Sequence, residues 1–225
     1  MNININGYTV LATFAQGLDQ EKLIPLLKNF RPLNDWINNF DKNIKVSAIE
    51  IQSVDLFGPR IGFLKIKSIL TDILLNKNMP GIIFFRGDAV AVLPIINNAY
   101  VLLTEQFRAP VGRKLLEIPA GMTDGEGNFS GVAIKELEEE CGIKVKMSDL
   151  KDLGRMIPSA GGCDENLHLF LLPLTMSQQE IEEMKQKLFG TEHEAIRIKF
   201  LTVEEAWQLE DAKTLVALGK WARMQ

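Results

Sequence analysis

The sequence of 225 residues is long enough for one or two domains with a substantial hydrophobic core. Hydrophobic residues make up 46% and charged residues 24%, which is typical of a globular protein and argues against a disordered or fibrous chain. The formal net charge of −4 gives no overall attraction to nucleic acid or to an anionic membrane, so we expect neither as a partner. Two cysteines and the lack of an apolar run of about 20 residues predict a cytoplasmic location.

The N-terminal part of the chain is predicted to form a small β-rich domain over residues 1–80. Its predicted elements are two short helices and then two alternating strands, at residues 23–27, 33–40, 46–52 and 61–67. Gly58 and Pro59 lie between the two strands and mark a turn, so the strands are predicted to form a β-hairpin. The segment 76–81, which contains a proline, is the predicted boundary of this domain.

The second domain is predicted over residues 81–225 and mixes strands with helices. Apolar and β-branched runs predict strands at residues 82–85, 88–96, 100–107, 115–119, 150–157, 167–172 and 195–200. Helical periodicity and capping residues predict helices at residues 129–141, 177–188 and 211–223, with a further short helix beginning near Thr202. Because the elements do not alternate as regular βαβ units, the pattern predicts an α+β or α/β protein with a mixed sheet.

Three glutamates on the helix predicted at 129–141 are the strongest chemical signal. Glu136, Glu139 and Glu140 stand at positions i, i+3 and i+4, so their carboxylates share one face of the helix. Like charges at this spacing repel one another. The face is therefore either a solvated acidic surface or a binding site for a hard divalent cation such as Mg²⁺ or Mn²⁺.

The residues around this helix resemble the Nudix box, Gly-x5-Glu-x7-Arg-Glu-U-x-Glu-Glu-x-Gly-U, in which U is aliphatic. The matching positions are Gly121, Glu136, Leu137, Glu139, Glu140, Gly142 and Ile143. Two positions differ, because Gly127 stands in place of the first glutamate and Lys135 in place of the arginine. Since the glutamates that bind metal in this motif are all present, the resemblance implies a Nudix hydrolase with an α/β/α fold.

Further segments resemble the ADP-ribose and ADP-sugar pyrophosphatase branch of this family, and the whole pattern is similar to plant-type ADP-sugar diphosphatases. These segments are residues 85–92, 104–108, 116–121 and 158–165, and Pro158 stands sixteen positions after Gly142. The resemblance implies hydrolysis of an ADP-sugar, either ADP-glucose or ADP-ribose, to AMP and a sugar 1-phosphate. The alternatives are a UDP-sugar or dinucleotide substrate, or a non-catalytic Nudix-fold sensor of ADP-sugars.

The resemblance also implies a metal site and a general base. Glu136, Glu139, Glu140 and the backbone carbonyl of Ala120 would hold two or three Mg²⁺ ions, for which Mn²⁺ can substitute. The base would be Glu194 or Glu192, which lie just before a predicted strand. Glu194 is favoured because it is nearer to that strand, and Glu136 is a third catalytic candidate.

The remaining predicted site residues would bind the nucleotide sugar: Arg86, Arg108, Glu117, Gly161, Gly162 and Glu165. Arginines suit this role because their planar guanidinium groups bind phosphate oxygens. Glu117 is expected either to hydrogen-bond the base or ribose or to support its own strand. Related enzymes are commonly homodimers, and the hairpin near residues 46–67 is the expected subunit contact.

Overall fold

The computed structural model describes residues 1–123, 128–190 and 195–225. The chain divides into two compact units, one formed by Met1–Gly87 with Ser159–Glu165 and the other by Asp88–Pro158 with Asn166–Gln225. Among the residues that the structure describes, no helix has both the length and the apolar character needed to cross a membrane. The division into domains at residue 80 stays a prediction.

The first unit contains a six-stranded sheet and two helices. Its elements are β1 (Asn2–Ile5), β2 (Tyr8–Phe14), α1 (Gln20–Lys28), α2 (Arg31–Asn38), β3 (Ile44–Phe57), β4 (Arg60–Asp72), β5 (Lys77–Met79) and β6 (Ile82–Phe85). The strand order is β1-β2-β3-β4-β5, and β6 also pairs with β4. The β2 and β3 strands are parallel, whereas the other neighbours are antiparallel.

The predicted hairpin is confirmed and is longer than predicted, because β3 and β4 pair from Ile44↔Asp72 to Phe57↔Arg60. The sequence reading missed β1 and β2. The signal for β1 is the alternation of exposed asparagines with buried Ile3 and Ile5, which is the pattern of a half-buried strand. These isoleucines extend the apolar core of the unit, so the N-terminal segment is part of its structure.

The second unit contains an eight-stranded mixed sheet. Its elements are β7 (Ala89–Ile96), β8 (Tyr100–Arg108), β9 (Arg113–Glu117), β10 (Ala120–Met122), α3 (Phe129–Cys141), β11 (Lys151–Met156), β12 (Leu167–Leu174), α4 (Gln178–Gln186), β13 (Leu188–Phe189), β14 (Ile196–Thr202), α5 (Val203–Ala206) and α6 (Ala212–Ala222), with a 3₁₀ turn at Met147–Asp149. The strand order is β11-β12-β7-β8-β14-β13, with β10 beside β7 and β9 beside β8.

Strand β7 lies at the centre of this sheet, and all eight of its residues are buried. Val90 and Val92 pack with Leu137 of α3, whereas Ala91 and Leu93 pack with Leu218 of α6. Because side chains alternate between the faces of a strand, this packing places helices on both faces of the sheet. The predicted α+β class with a mixed sheet is confirmed, and β12 runs parallel to β7 while β8 runs antiparallel to it.

Short connections fix the strands that lead to Gly121, the glycine that begins the predicted motif. Asn97 and Asn98 both adopt positive φ angles of 55° and 56°, as a two-residue hairpin turn requires, and so join β7 to β8. Strand β10 pairs with β7 through Ala120↔Ala91 and Gly121↔Val90. Helix α3 covers Val90 from one face, so β10 and the glutamate helix lie next to each other.

Candidate active site

Helix α3 carries the three predicted metal ligands and has a defined beginning and end. The side chain of Asn128 accepts a hydrogen bond from the backbone N–H of Gly131 over 3.0 Å, which caps the N-terminus. Gly142 ends the helix in the left-handed conformation with φ of 67°, which glycine adopts without steric cost. Ala133 and Leu137 are buried against the sheet. The caps and this packing fix the direction in which the glutamates project.

Two of these glutamates contact strand β10 directly. Glu140 is buried, and its Oε2 accepts a hydrogen bond from the backbone N–H of Ala120 over 3.1 Å. The carboxylate of Glu136 packs on Gly121, where an added Cβ would lie 2.0 Å from both Cδ and Oε1 of Glu136. A side chain at position 121 would therefore displace this carboxylate. The glycine is needed here because Glu136 approaches its backbone so closely.

Glu139 has a different environment from the other two glutamates. Its side chain is exposed, and its Oε1 lies 3.7 Å from Nζ of Lys135, one helical turn earlier. The lysine that replaces the arginine of the motif thus forms an ion pair on the helix surface. The backbone carbonyl of Glu139 also accepts a hydrogen bond from the N–H of Gly190 over 3.2 Å. This contact brings the end of β13 to the C-terminal half of α3.

The donors at this site suit a hard divalent cation, because they are carboxylate and carbonyl oxygens. Within the described residues, no three His, Cys, Asp or Glu side chains converge in the way that holds a metal ion. Glu136 and Glu140 nevertheless contact adjacent residues of β10, including Ala120, the fourth predicted ligand. The chemistry of the donor set therefore fits the predicted ion, and the role of each ligand stays a prediction.

A second charged cluster surrounds Glu117, whose side chain is buried at the end of β9. Its Oε1 accepts a hydrogen bond from Nε of Arg108 over 2.6 Å, and its Oε2 contacts Nζ of Lys213. Burial by itself raises the pKa of Glu117, but the hydrogen bond from Arg108 and the charge of Lys213 outweigh it and lower the pKa below its usual value. Glu117 is therefore charged and paired on both oxygens at neutral pH.

The N-terminal turn of α6 holds this cluster in place. Asp211 caps the helix by accepting hydrogen bonds from the N–H of Thr214 over 3.0 Å and from its hydroxyl over 2.6 Å. Asp211 also lies 2.9 Å from Nζ of Lys213. The buried hydroxyl of Thr214 accepts a hydrogen bond from the backbone N–H of Ile118 over 3.1 Å. Both the side chain of Glu117 and the backbone after it are thus fixed by α6.

Comparison with known proteins identifies the family. A family model described as the NUDIX domain matches residues 85–221, which is more than half of the chain. The chain belongs to the Nudix family.

Named relatives are similar to this chain over different shares of their length. Nudix hydrolase 14, chloroplastic, of Arabidopsis thaliana is 39% identical over 215 residues, which cover 85% of this chain and 70% of the relative. An ADP-ribose pyrophosphatase of Bacillus subtilis is 32% identical over 136 residues, covering 58% of this chain and 69% of the relative. An ADP-sugar pyrophosphatase of Mus musculus is 35% identical over 81 residues, covering 34% of this chain and 37% of the relative.

A crystal structure of an ADP compounds hydrolase shares the fold. Its TM-score is 0.63 at 14% sequence identity, and the match covers 81% of this chain and 94% of the other. At this identity the likeness concerns the fold alone. The predicted α+β Nudix fold is thus supported by the family match and by the architecture.

Nudix hydrolases generally use divalent metal ions, and the segment between β10 and α3 lies within the residues that the family model matches. Thr123 is the last described residue before this segment. It donates hydrogen bonds from its N–H and its hydroxyl to the backbone carbonyl of Asp88, over 2.9 and 3.1 Å. Glu126 and Gly127 lie outside the described residues, as do the predicted bases Glu192 and Glu194 with His193 between them. The assignment of the general base stays a prediction.

The other predicted substrate residues, Arg86, Gly161, Gly162 and Glu165, lie in the first unit, where Asp164 fixes the backbone at Arg86. Its Oδ1 accepts hydrogen bonds from the backbone N–H groups of Arg86 and Gly87, over 2.8 and 3.3 Å. Arg86 also pairs with Glu165 at 3.5 Å between Nη1 and Oε2. Gly161 and Gly162 border open space, because an added Cβ would meet no atom within 4 Å at either position. The structure thus brings together Arg86 and Glu165 of the predicted set.

The sequence reading missed Lys213, Asp211 and Asp164 as contributors to these clusters. The only local signal for Asp211 is its capping position three residues before Thr214, which predicts a helix start but no link to Glu117. Lys213 contacts a residue 96 positions earlier in the chain, so no local pattern indicates the pair. Asp164 lies within the matched segment 158–165, but its backbone partners depend on the tertiary fold.

Proposed function

We propose that this Nudix hydrolase splits the diphosphate of an ADP-sugar, ADP-glucose or ADP-ribose, into AMP and the sugar phosphate. The observation that carries the proposal is the contact of Glu136 and Glu140 with the backbone of β10. It brings two carboxylates and the predicted carbonyl ligand together at the family's motif. The names of the relatives, ADP-ribose pyrophosphatase and ADP-sugar pyrophosphatase, support an ADP-linked substrate.

Glu136, Glu139, Glu140 and the carbonyl of Ala120 would hold two or three Mg²⁺ ions, with Mn²⁺ as a substitute. When bound, divalent cations neutralise the negative charge of a diphosphate and lower the pKa of a water ligand. The chain's own contribution is to hold the carboxylates in position. Glu140 does so through the N–H of Ala120, and Glu136 through its packing on Gly121.

The proton of the attacking water would be accepted by Glu194, with Glu192 as the alternative. Gly190, the last described residue before this segment, donates a hydrogen bond from its N–H to the carbonyl of Glu139. A base must reach the attacking water directly or through one other water. Glu136 is the remaining candidate for this role.

Arg86 and Arg108 would bind the phosphates, and Glu165, Gly161 and Gly162 would contact the sugar side. Arg108 and Arg86 each have a carboxylate partner, Glu117 and Glu165, which restricts the conformations of their side chains. Such restriction favours binding because less conformational entropy is lost when the substrate arrives. For Glu117, the pairing of both oxygens with cations supports a role in holding Arg108 over direct contact with the base or ribose.

We further propose that the protein acts as a cytoplasmic homodimer. The family resemblance supports the dimer, with the β3–β4 hairpin as the expected contact. The Arabidopsis relative is described as chloroplastic, so detection of this protein in a chloroplast fraction would contradict the cytoplasmic location. Light scattering coupled to size-exclusion chromatography measures the mass, and a mass of one chain would contradict the dimer.

The proposed activity is tested by incubating the purified protein with Mg²⁺ and ADP-glucose, ADP-ribose, UDP-glucose or a dinucleotide, and by identifying the nucleotide released. AMP from an ADP-sugar is the expected product. UMP from UDP-glucose as the main product would favour the alternative substrate class. Binding of an ADP-sugar without cleavage would favour a sensor. Glu139→Gln protein prepared in parallel controls for a contaminating hydrolase.

A further inference from the structure

The two carboxylate oxygens of Glu117 pair with two different basic side chains, those of Arg108 and Lys213. Oε1 pairs with Nε of Arg108, and Oε2 contacts Nζ of Lys213. The side chain of Glu117 is only 3% exposed, whereas that of Arg108 is 35% exposed. A buried carboxylate thus anchors one edge of an arginine whose side chain still reaches solvent.

Lys213 is fixed in this position and is not a mobile surface lysine. Its side chain is 15% exposed, and Nζ also lies 2.9 Å from Oδ1 of Asp211. Asp211 is itself held by its hydrogen bonds to Thr214 at the start of α6. The ammonium group is therefore kept beside Oε2 of Glu117 by the helix that carries it.

The charges of these four residues balance, because Glu117 and Asp211 are acidic while Arg108 and Lys213 are basic. Without the Lys213 charge, these four residues together would carry a charge of −1 in a poorly solvated place, and Oε2 of Glu117 would lose its basic partner. A carboxylate whose two oxygens are both accessible to one arginine favours a bidentate salt bridge. Without Lys213, Arg108 would therefore use two of its N–H groups to bind Glu117. The electrostatic potential around these residues would also become more negative and would oppose an anionic ligand.

We propose that Lys213 is a positioning residue that keeps Arg108 available to the anionic diphosphate by occupying the second oxygen of Glu117. This role deepens the proposed function and rests on it. Lys213 acts through Glu117 and needs no contact of its own with the substrate. The role predicts a loss of substrate affinity when the charge of Lys213 is removed, and no loss when the charge is retained.

The test measures the affinity of ADP-ribose in the presence of EDTA by calorimetry, so that hydrolysis does not contribute. Lys213→Gln should weaken binding roughly tenfold, the effect of one hydrogen bond to a charged group. Lys213→Met serves as a second neutral variant if the glutamine variant does not fold, and Lys213→Arg retains the charge. Lys220→Met is the matched control, because Lys220 lies on the same helix, where its Nζ is near Gly154. The control should bind like the wild type.

The decisive comparison places Lys213→Gln in an Arg108→Gln background. If Lys213 acts through Arg108, its substitution there should cause no further loss of affinity. An equal loss in both backgrounds overturns the proposal, and so does an equal loss in the glutamine and arginine variants. A lower Tm with unchanged affinity would show a purely structural salt bridge and would also overturn it.

A ligand-free measurement separates this inference from the proposed function. The Nε–H signal of Arg108 in a ¹⁵N NMR spectrum reports its pairing with Glu117, and we expect it to shift in Lys213→Gln but not in Lys220→Met. If the wild type binds and cleaves no ADP-sugar, the proposed function fails. An unchanged Arg108 signal in Lys213→Gln overturns the positioning role whatever the substrate.

Discussion

The backbone N–H of Ala120 donates a hydrogen bond to Oε2 of Glu140 over 3.1 Å. This contact ties the glutamate helix to the strand whose carbonyl is the fourth predicted metal ligand. One carboxylate oxygen of Glu140 thus holds α3 against β10 through this hydrogen bond, and the negative charge of the carboxylate lies beside the strand. Since the partner is a backbone amide, the contact needs an oxygen at this place but not a negative charge.

Glu140→Gln should therefore separate structure from catalysis. Glutamine retains an oxygen that accepts from Ala120, so the Tm should change little, whereas the charge that would neutralise a cation is lost. We expect kcat with saturating Mg²⁺ to fall by at least about a hundredfold, because metal ions stabilise transition-state charge by several kcal/mol. Glu139→Gln should lower kcat to a similar degree.

Glu138→Gln is the matched control for these variants. Glu138 lies on the same helix but pairs with Lys144 at 3.1 Å on the surface. Its substitution should leave kcat and the concentration of Mg²⁺ needed for half-maximal rate unchanged. Near-normal turnover in both Glu139→Gln and Glu140→Gln would contradict the assignment of the metal site.

Gly121→Ala tests the contact between β10 and Glu136. The new methyl group would lie 2.0 Å from the carboxylate, so the flexible side chain of Glu136 must move away. Because a side chain and not the backbone has to move, we expect a small change in Tm but a loss of kcat of at least about tenfold, as misplaced catalytic groups cause. Gly219→Ala is the control, since its Cβ would meet only an ordinary contact at 3.8 Å from Trp207. Equal activity of the two variants would contradict the requirement for glycine at position 121.

The shared role of Glu136, Glu139 and Glu140 stays a prediction, whereas the helix over residues 129–141 was predicted correctly because helical periodicity is a local property. The same holds for the caps of α3, since Asn128 and Gly142 act within one turn of the helix. The motif contains Gly121 but does not give the physical reason for a glycine there. The structure supplies that reason through the close approach of Glu136, fifteen residues later.

The cluster around Glu117 was beyond prediction from the sequence, because its partners come from distant elements. Arg108 lies nine positions earlier across the β8–β9 pair, and Lys213 lies 96 positions later on α6. The sequence left Glu117 with two possible roles, and only tertiary packing shows that both of its oxygens are paired. Strand β1 was missed for a different reason, since its exposed asparagines are uncommon in strands although they alternate with buried isoleucines.

The general base is tested by Glu194→Gln and Glu192→Gln. If Glu194 accepts the proton of the attacking water, its substitution should lower kcat by about 10²–10⁴-fold, the usual contribution of general-base catalysis. Binding of ADP-ribose in EDTA should stay close to the wild-type value. Glu192→Gln is the neighbouring control and should have a smaller effect. A loss of kcat confined to Glu192→Gln would assign the general base to Glu192 instead. Normal kcat in both variants would leave Glu136 as the candidate for the base.

Glu117 should also give the protein a stability that is lost in acid. Burial raises its pKa, but the hydrogen bond from Arg108 and the charge of Lys213 outweigh burial and lower the pKa below its usual value. A carboxyl group with a lowered pKa in the folded state stabilises the protein above its unfolded pKa, about 4.3, and loses this contribution as pH falls through the lower folded value. The free energy of unfolding in urea should therefore fall more steeply with decreasing pH below about 4.3 in the wild type than in Glu117→Gln.

The surface variant Glu138→Gln controls for the general effect of removing one carboxyl group. It should keep the steep acid dependence of the wild type, because Glu117 is intact. At neutral pH, Glu117→Gln should be the less stable of the two variants, since it removes the negative charge that Arg108 and the partly buried Lys213 share. If the wild type and Glu117→Gln lose stability in parallel as pH falls, Glu117 does not titrate with a lowered pKa, and its pairing with both cations is weaker than the geometry indicates.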